Sequence, residues 1–408
     1  MFVNILKKVY NFFRNIKNDG LKATVKTIYY YKLDKWYIKL IKTITNHMPL
    51  RNVIIIESHD DFDCNGGAFY YYLLRHKYNY KYKIVWLLKN PTPNNLPHNV
   101  KGYNIAKPSF MKDYYICVAK FLTADNVVTP KVRNDQKEFY FTHGGITFKN
   151  VKGLIVVPDH VDYVLSASAN YDPYVCGNYS IPYPNNKMLH FGYPSTDCFF
   201  METENEFCKI SKKSFEKVIL WMPTFRKGGG PGRNDSTAEQ PIGIPLINDL
   251  EKYKKVNDYL RENNSFMIIK IHPMQDLSDL RITDMSNIKV VTKHTVKKLG
   301  LDSYSLMKCA DAFISDYSSS AYQYLLLDRP IAFVLADLKD YKLGFCVDNI
   351  DDFLPGEYIY NFDDFIMFMD HSFHGEDPCR EKRKKLLDQL YEHRDGKSCK
   401  RIVRFMGL

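Results

Sequence analysis

Four stretches of this chain place cationic, hydroxyl-bearing or titratable side chains where a short apolar run ends. His143-Gly144-Gly145 follows the run 139–142. Lys270 and His272 close the run 267–271 and, two residues apart on a strand, project to one face; Pro273 then stops the pairing. Thr224 and Arg226 follow 218–222, and Asp316, Ser318 and Ser319 follow 312–315. An imidazole can take or give a proton near neutral pH. An ammonium, a guanidinium fork and hydroxyls can neutralise and orient a diphosphate. Ser318 and Ser319 stand where a strand is expected to hand over to a helix at 320–327, whose first N–H groups attract an anion. Each stretch also has a plainer reading: an N-cap by Asp316 or Ser318, a strand-terminal His272 bonded to backbone, a structural His143.

A fifth stretch, His59-Asp60-Asp61-Phe62-Asp63, contains an Asp-x-Asp of the kind that holds a metal with a nucleotide in some glycosyltransferases. Cys64-Asn65-Gly66-Gly67 follows at once, so 59–67 reads as a loop capping a helix at 66–76, and no metal is expected. The Gly-rich segment 226–244 lacks the spacing of a phosphate-binding P-loop and reads as a mobile loop over a cleft.

The elements that must position these groups alternate regularly. Strands are expected at 53–57, 83–88, 126–128, 139–142, 154–157, 163–166 and 188–191, with helices at 66–76 and 110–122. The alternation restarts with strands at 218–222, 267–271, 288–291, 312–315 and 331–335 and helices near 246–263 and 304–310. That pattern predicts an α/β protein of two doubly wound parallel sheets facing across a cleft, the GT-B architecture. The expected divisions are a basic helical arm at 1–50, domains at 51–205 and 206–375, and a charged helical segment at 376–408 that packs back across them.

At 408 residues, 45% hydrophobic and 25% charged, the chain can build two or three cores. Nine scattered cysteines without a C-x-x-C pair fit reduced thiols in a cytoplasm. There is no signal peptide and no apolar run long enough to span a bilayer. Of the net charge of +11, residues 1–50 carry ten Lys/Arg and two Asp, or 10 − 2 = +8. Apolar residues at 2, 5, 6, 9, 12, 13 and 16 form a helical stripe there, and a second basic, aromatic helix is expected at 21–46. The arm is expected to lie on an anionic membrane surface, the plainer alternative being an arm docked on the body or on a second subunit. No nucleic-acid-reading motif is present, and nucleic acid is not expected as a partner.

Ser315-Asp316-Tyr317-Ser318-Ser319, followed by Tyr324-Leu325-Leu326-Leu327-Asp328-Arg329-Pro330, resembles the signature of the CDP-glycerol glycerophosphotransferases. These bacterial enzymes build teichoic acids and related polymers. The resemblance extends in order through His143-Gly144, Gly192-Tyr193-Pro194, Pro223-Thr224-Phe225-Arg226, Lys270-Ile271-His272-Pro273 and Leu354-Pro355-Gly356, covering about residues 53–370. Two positions depart from it. Ser195-Thr196-Asp197 stands where the family continues Arg-Asn-Asp, and Gln323 where it commonly has Asp. Lys149 lies six residues after His143, not the family's five, so no role passes to it.

The resemblance implies the GT-B fold and transfer of glycerol phosphate, or a similar polyol phosphate, from CDP-glycerol to a hydroxyl of a lipid-linked or polymeric acceptor, with CMP released. It implies His143 as base or transition-state stabiliser. With the strand-end chemistry it places His272, Thr224, Arg226, Lys270, Asp316, Ser318 and Ser319 at the donor, His272 also serving catalysis. Gly144, Asn65 and Asp197 are expected near the acceptor or cleft. No cofactor is expected beyond the nucleotide-activated donor. The enzyme is expected in the cytoplasm, peripheral on the inner face of the membrane, with a second copy of the chain left open as a partner in a homo-oligomer. The rivals are a glycosyltransferase of the same fold that uses a nucleotide sugar and a non-catalytic membrane scaffold.

Overall fold

The computed structural model describes residues 20–202, 205–226 and 236–408. The first sheet comprises β1 (Arg51–Glu57), β2 (Lys83–Leu88), β3 (Val100–Asn104), β4 (Ala119–Ala124), β5 (Lys137–Tyr140), β6 (Tyr163–Leu165) and β7 (Met188–Leu189). Its order is β3-β2-β1-β4-β5-β6-β7, parallel throughout. The second comprises β8 (Lys217–Trp221), β9 (Ser265–Lys270), β10 (Ile288–Val291), β11 (Ala312–Ser315), β12 (Ile331–Val334) and β13 (Glu357–Ile359). Its order is β10-β9-β8-β11-β12-β13, again parallel. Both sheets wind outward in two directions from their first strand, the doubly wound order expected from the alternation.

The strands are apolar on both sides because both sides are covered. In β1 and β2, Ile54, Ile56, Ile84 and Trp86 enter one core, and Val53, Ile55, Val85 and Leu87 enter another under Ile116 of the helix Phe110–Val118. In the second sheet Trp221 packs on Phe365 of the helix Phe362–His374, ring centroids 5.1 Å apart.

Several elements differ from expectation. The helix expected at 110–122 ends at Val118, and 119–124 form β4. A short apolar run is ambiguous between helix and strand, and here pairing with β1 decides it. No strand forms at 126–128; the N–H groups of Asn126 and Val127 instead donate to Glu57 Oε2 at 3.2 and 2.9 Å. No strand forms at 154–157: Ile155 makes only an isolated bridge to Lys152, and Leu154 and Val156 are exposed. Edge strands β3 and β13 were not anticipated, since a strand covered on one edge only needs little apolar signal. The helix expected at 320–327 is a short α-helix, Ser319–Tyr324, then a 3-10 turn, Leu325–Leu327.

The apolar stripe at 2–16 lies outside the described residues. The second helix of the arm is present as Leu21–Thr45. It docks on the first domain through Ile41, Thr45 and an Asp34–Lys112 ion pair of 2.7 Å, and Arg133 holds the carbonyls of Thr45 and Met48. At the other end of the chain, the helix Arg380–Leu390 is anchored by buried Arg383 on Asp328 and Asp377. The helix Ser398–Met406 then returns to the first domain, where Phe405 meets Tyr163 edge-on at 4.9 Å.

Candidate active site

In doubly wound sheets, ligands sit outside the carboxyl ends of the strands where the winding reverses. These points are β1/β4 in the first domain and β8/β11 in the second. Past β1, the chain turns back at once. Asp125, just beyond β4, accepts from His59 N at 2.5 Å, Ser58 Oγ at 2.7 Å and Gly66 N at 2.9 Å. Burial pushes its carboxyl up to about 7, against the pull of those donors. Asp63 caps the helix Cys64–Arg75, and a Cβ on Gly67 would lie 2.5 Å from the carbonyl carbon of Phe62, so only glycine fits. Asp61 accepts from the N–H groups of Lys89 and Asn90 at 2.9 and 2.8 Å. The Asp-x-Asp carboxylates thus serve the loop itself. Among the described residues no group of three His, Cys, Asp or Glu is arranged to hold a metal ion.

His143 lies beyond β5, and its ring stacks on His59 with centroids 4.0 Å apart. Its Nδ1 is buried without a hydrogen-bond partner. Burial first, then His59, lowers its pKa to about 4, with Asp60 acting in the opposite direction. The ring is therefore neutral at physiological pH. Gly144 has φ +77°, a left-handed value that lets the loop turn toward the second domain. A Cβ there would be 3.6 Å from Ser319 Oγ, and Gln323 Nε2 donates to the Gly144 carbonyl. Asp60 crosses the cleft as well, in a 2.5 Å ion pair with Lys293 that holds its carboxyl below the usual value despite burial. Lys270 lines the same cleft. Burial pulls its ammonium below the usual lysine range, and Asp63, Asp302 and Asp60 act against that pull. His143-Gly144 and Ser319 are thus brought together as the strand ends implied, with Lys270 in electrostatic reach of Asp60 and Asp63.

His272 stacks on Phe225 at 4.8 Å, and its Nδ1 accepts from Met274 N at 3.1 Å. In the neutral ring the proton therefore sits on Nε2. Ser318 is the N-cap of its helix, accepting from Ser320 N at 3.4 Å, as the plainer reading had it.

Other expected site residues are spent on architecture. Arg226, expected to offer its fork to a diphosphate, is buried with that fork closed on two carboxylates. Its NH1 meets Asp316 at 2.7 Å, and Nε and NH2 meet Asp337 at 2.5 and 2.8 Å. Asp316 also takes the Thr224 N–H at 2.8 Å and the Thr224 hydroxyl at 2.5 Å. Burial alone would push the Asp316 carboxyl up; Arg226 and Lys149 hold it below the usual range. Thr224, Arg226 and Asp316 therefore lock the ends of β8 and β11 to each other. Asn65 is a fully buried tie: it donates to the carbonyls of Phe141 and Thr142 at 3.1 and 2.9 Å and accepts from Ser195 N and Oγ. It holds the His143 loop from behind. Asp197 is not at the cleft; it accepts from Ser398 N and Cys399 N, both at 2.9 Å, and so caps the helix Ser398–Met406.

The two departures from the family pattern meet in space. Gln323 Nε2 lies 3.2 Å from the Tyr304 hydroxyl, which also hydrogen-bonds the Ser195 side chain. The sequence places His59 in the acidic stretch without a role of its own, and Asp125, Lys293 and Asp337 are not singled out by it. Asp125 would have been found as a strand-end carboxylate had the helix before it been ended at Val118. Lys293 and Asp337 carry no local signal, because their partners Asp60 and Arg226 are distant in sequence.

Two doubly wound domains that close on a shared cleft define the GT-B architecture. The chain matches the CDP-glycerol:poly(glycerophosphate) glycerophosphotransferase family over residues 40–407 and belongs to it. It is 27% identical over 423 aligned positions to the teichoic acid ribitol-phosphate polymerase TarL of Staphylococcus aureus, covering 93% of this chain and 70% of that one. It is 26% identical over 265 positions to the teichoic acid ribitol-phosphate primase of Bacillus spizizenii, covering 62% of this chain and 61% of the primase. The wall teichoic acid polymerase TagF has the same fold, with a TM-score of 0.71 at 20% identity over 99% of this chain and 97% of that structure.

Proposed function

We propose that this enzyme moves glycerol phosphate, or a close polyol phosphate, from a CDP-polyol to a hydroxyl of a lipid-linked or polymeric acceptor in teichoic acid synthesis, releasing CMP. The observation that carries this reading is the seam itself. His143-Gly144 of one domain faces Ser319 and Gln323 of the other, and Lys270 of the second domain lies within electrostatic reach of Asp60 and Asp63 of the first, which supports a neutral imidazole and a lysine serving one anionic substrate. The acceptor oxygen attacks the phosphorus next to the polyol, and the bond to the CMP oxygen breaks. His143 takes the acceptor proton. Lys270 neutralises the departing phosphate and His272 Nε2–H donates a hydrogen bond to it, and positioning and charge do most of the work. No resident cofactor enters this scheme. Incubation with a panel of CDP-polyols, nucleotide sugars and acceptors tests it. CMP release with phosphodiester formation is expected, whereas release of a nucleoside diphosphate would make the enzyme a glycosyltransferase.

His272→Ala and Ser318→Ala are expected to weaken CDP-glycerol binding about tenfold, the weight of one charge-assisted hydrogen bond, and CMP binding much less. Calorimetry with both nucleotides checks this, and equal losses would move these groups away from the second phosphate.

We further propose that the arm lies on an anionic membrane surface on the cytoplasmic side. Among the described residues no helix is long and apolar enough to cross a membrane. The helix Leu21–Thr45 nevertheless exposes Leu21, Val25, Tyr29, Trp36, Leu40 and Ile44, on the side away from docked Asp34, Ile41 and Thr45, with lysines between them. The full chain is expected to float with anionic vesicles and to be released by salt. Binding that is unchanged by salt would favour a second copy of the chain as the occupant of that face.

A further inference from the structure

We propose that a cavity of about 540 Å³ between the helix Phe110–Val118 and the leading residues of β1 and β2 seats the phosphate of an anionic lipid headgroup. The cavity lies at the amino ends of the strands, on the opposite edge of the sheet from His143, so it is separate from the transfer site. Its charge follows from strand register. Val53 pairs with Lys83 and Val85 with Lys101, and side chains two apart share a face, so Lys83 and Lys101 lie on the face that carries Val53, Ile55, Val85 and Leu87; Arg51, before an irregularity in β1, reaches the same cavity against Tyr114. That face is apolar where the helix covers it and cationic at its amino edge, where Lys81 joins from the preceding turn.

Nothing offsets this charge. No Asp or Glu lines the cavity, and among the described residues Arg51, Lys81, Lys83 and Lys101 make no ion pair. Lys83 Nζ instead bonds the neutral Asn99 Oδ1 at 2.7 Å, and burial, then Lys101, pulls its ammonium below the usual value. Tyr114 and Tyr115 form the wall, their ring centroids 5.5 Å from the Arg51 guanidinium and 5.8 Å from Lys83 Nζ. The volume is that of a small-ligand site.

The surroundings indicate a lipid as the source of the phosphate. Phe110 and Met111 stand exposed on the rim, and Phe110 meets Tyr37 of the arm helix at 5.9 Å. One surface thus offers apolar side chains for the acyl boundary beside a cationic hole at headgroup depth. The inference rests on the membrane reading of the arm.

The test uses the full chain and phosphatidylcholine vesicles carrying either phosphatidylglycerol or oleate at equal surface charge. Wild type is expected to prefer phosphatidylglycerol. Arg51→Gln/Lys83→Gln should lose that preference and bind phosphatidylglycerol vesicles about thirtyfold less, since each of the two cations contributes roughly 1 kcal/mol at such a surface. Lys32→Gln/Lys39→Gln, which removes equal charge from the arm, should lower binding to both vesicles alike. Equal losses for the two double variants on both vesicles would reduce the cavity to diffuse attraction and overturn the site. A second measurement follows ¹³C-dimethylated Lys83, assigned with Lys83→Arg, while monomeric dihexanoyl-phosphatidylglycerol is added. A saturable shift supports the pocket. No shift overturns it even if the protein floats, and an equal shift with inorganic phosphate overturns the lipid as the source. A saturable lipid shift in a protein that floats with no vesicle removes the membrane reading and leaves the headgroup pocket standing.

Discussion

His143→Ala is expected to lower kcat by about 10²–10⁴-fold, the usual contribution of a positioned general base, with folding and donor affinity nearly unchanged. The ring contributes little to the core, since its Nδ1 makes no hydrogen bond and its main contact is the stack on His59. Its protonation state is the functional property. Burial and His59 both disfavour the imidazolium, so in the free enzyme the ring accepts a proton only near pH 4. The acid limb of kcat/KM should therefore lie well below the 6.5 of an ordinary histidine. A bound diphosphate brings negative charge and raises the value, so the acid limb of kcat should lie higher than that of kcat/KM. Removing His59 should shift the kcat/KM limb upward. The same shift affects stability. Between pH 6.5 and 4 the unfolded chain binds a proton that the folded one refuses, so stability falls as pH falls through that window. A folded His143→Ala protein with near wild-type turnover, or a kcat/KM limb at 6.5 that His59→Ala leaves in place, would remove the role.

Arg226→Ala and Asp316→Ala are expected to destabilise the protein by about 3–5 kcal/mol, the cost of leaving a buried charge without its partner. Both side chains are almost completely inaccessible, at 1% and 0% exposure. Removing Arg226 leaves Asp316 with the Thr224 donors and the charge of Lys149, and Asp337 with the Ser236 hydroxyl, among the described residues. Removing Asp316 leaves the buried guanidinium paired with Asp337 and frees the Thr224 turn. Arg226→Lys keeps the charge but cannot bridge both carboxylates, so an intermediate loss is expected. Urea unfolding measures these losses. The competing assignment, a fork held open for phosphate, predicts something different: an unchanged unfolding midpoint and a raised KM for the donor. That pair of results would return Arg226 to the ligand.

Much of the architecture is written locally. Runs such as Ile54-Ile55-Ile56 and Val85-Trp86-Leu87-Leu88 are short, rich in β-branched and aromatic residues and apolar at every position, as suits a strand covered on both faces, and their alternation with helices already implies two doubly wound sheets. The groups that can hold a phosphate were legible for the same reason. In such sheets a strand's carboxyl end is where a ligand sits, and His143, Lys270, His272 and Ser319 all stand there.

What each strand-end group faces was decided only by tertiary structure. Arg226 and His272 look alike in sequence, each a cation just past a buried strand. Asp337, more than a hundred residues along the chain, and Asp316 neutralise the first, so it became a strut. Asp197 has the same carboxylate as Asp60. The returning C-terminal helix brings N–H donors to one, and the second domain brings Lys293 to the other. Electrostatic partners are chosen by distance in space, and between the domains that distance is set by how the two sheets close on each other. A strand's own residues encode its face and its end but not the charge that will stand across the cleft.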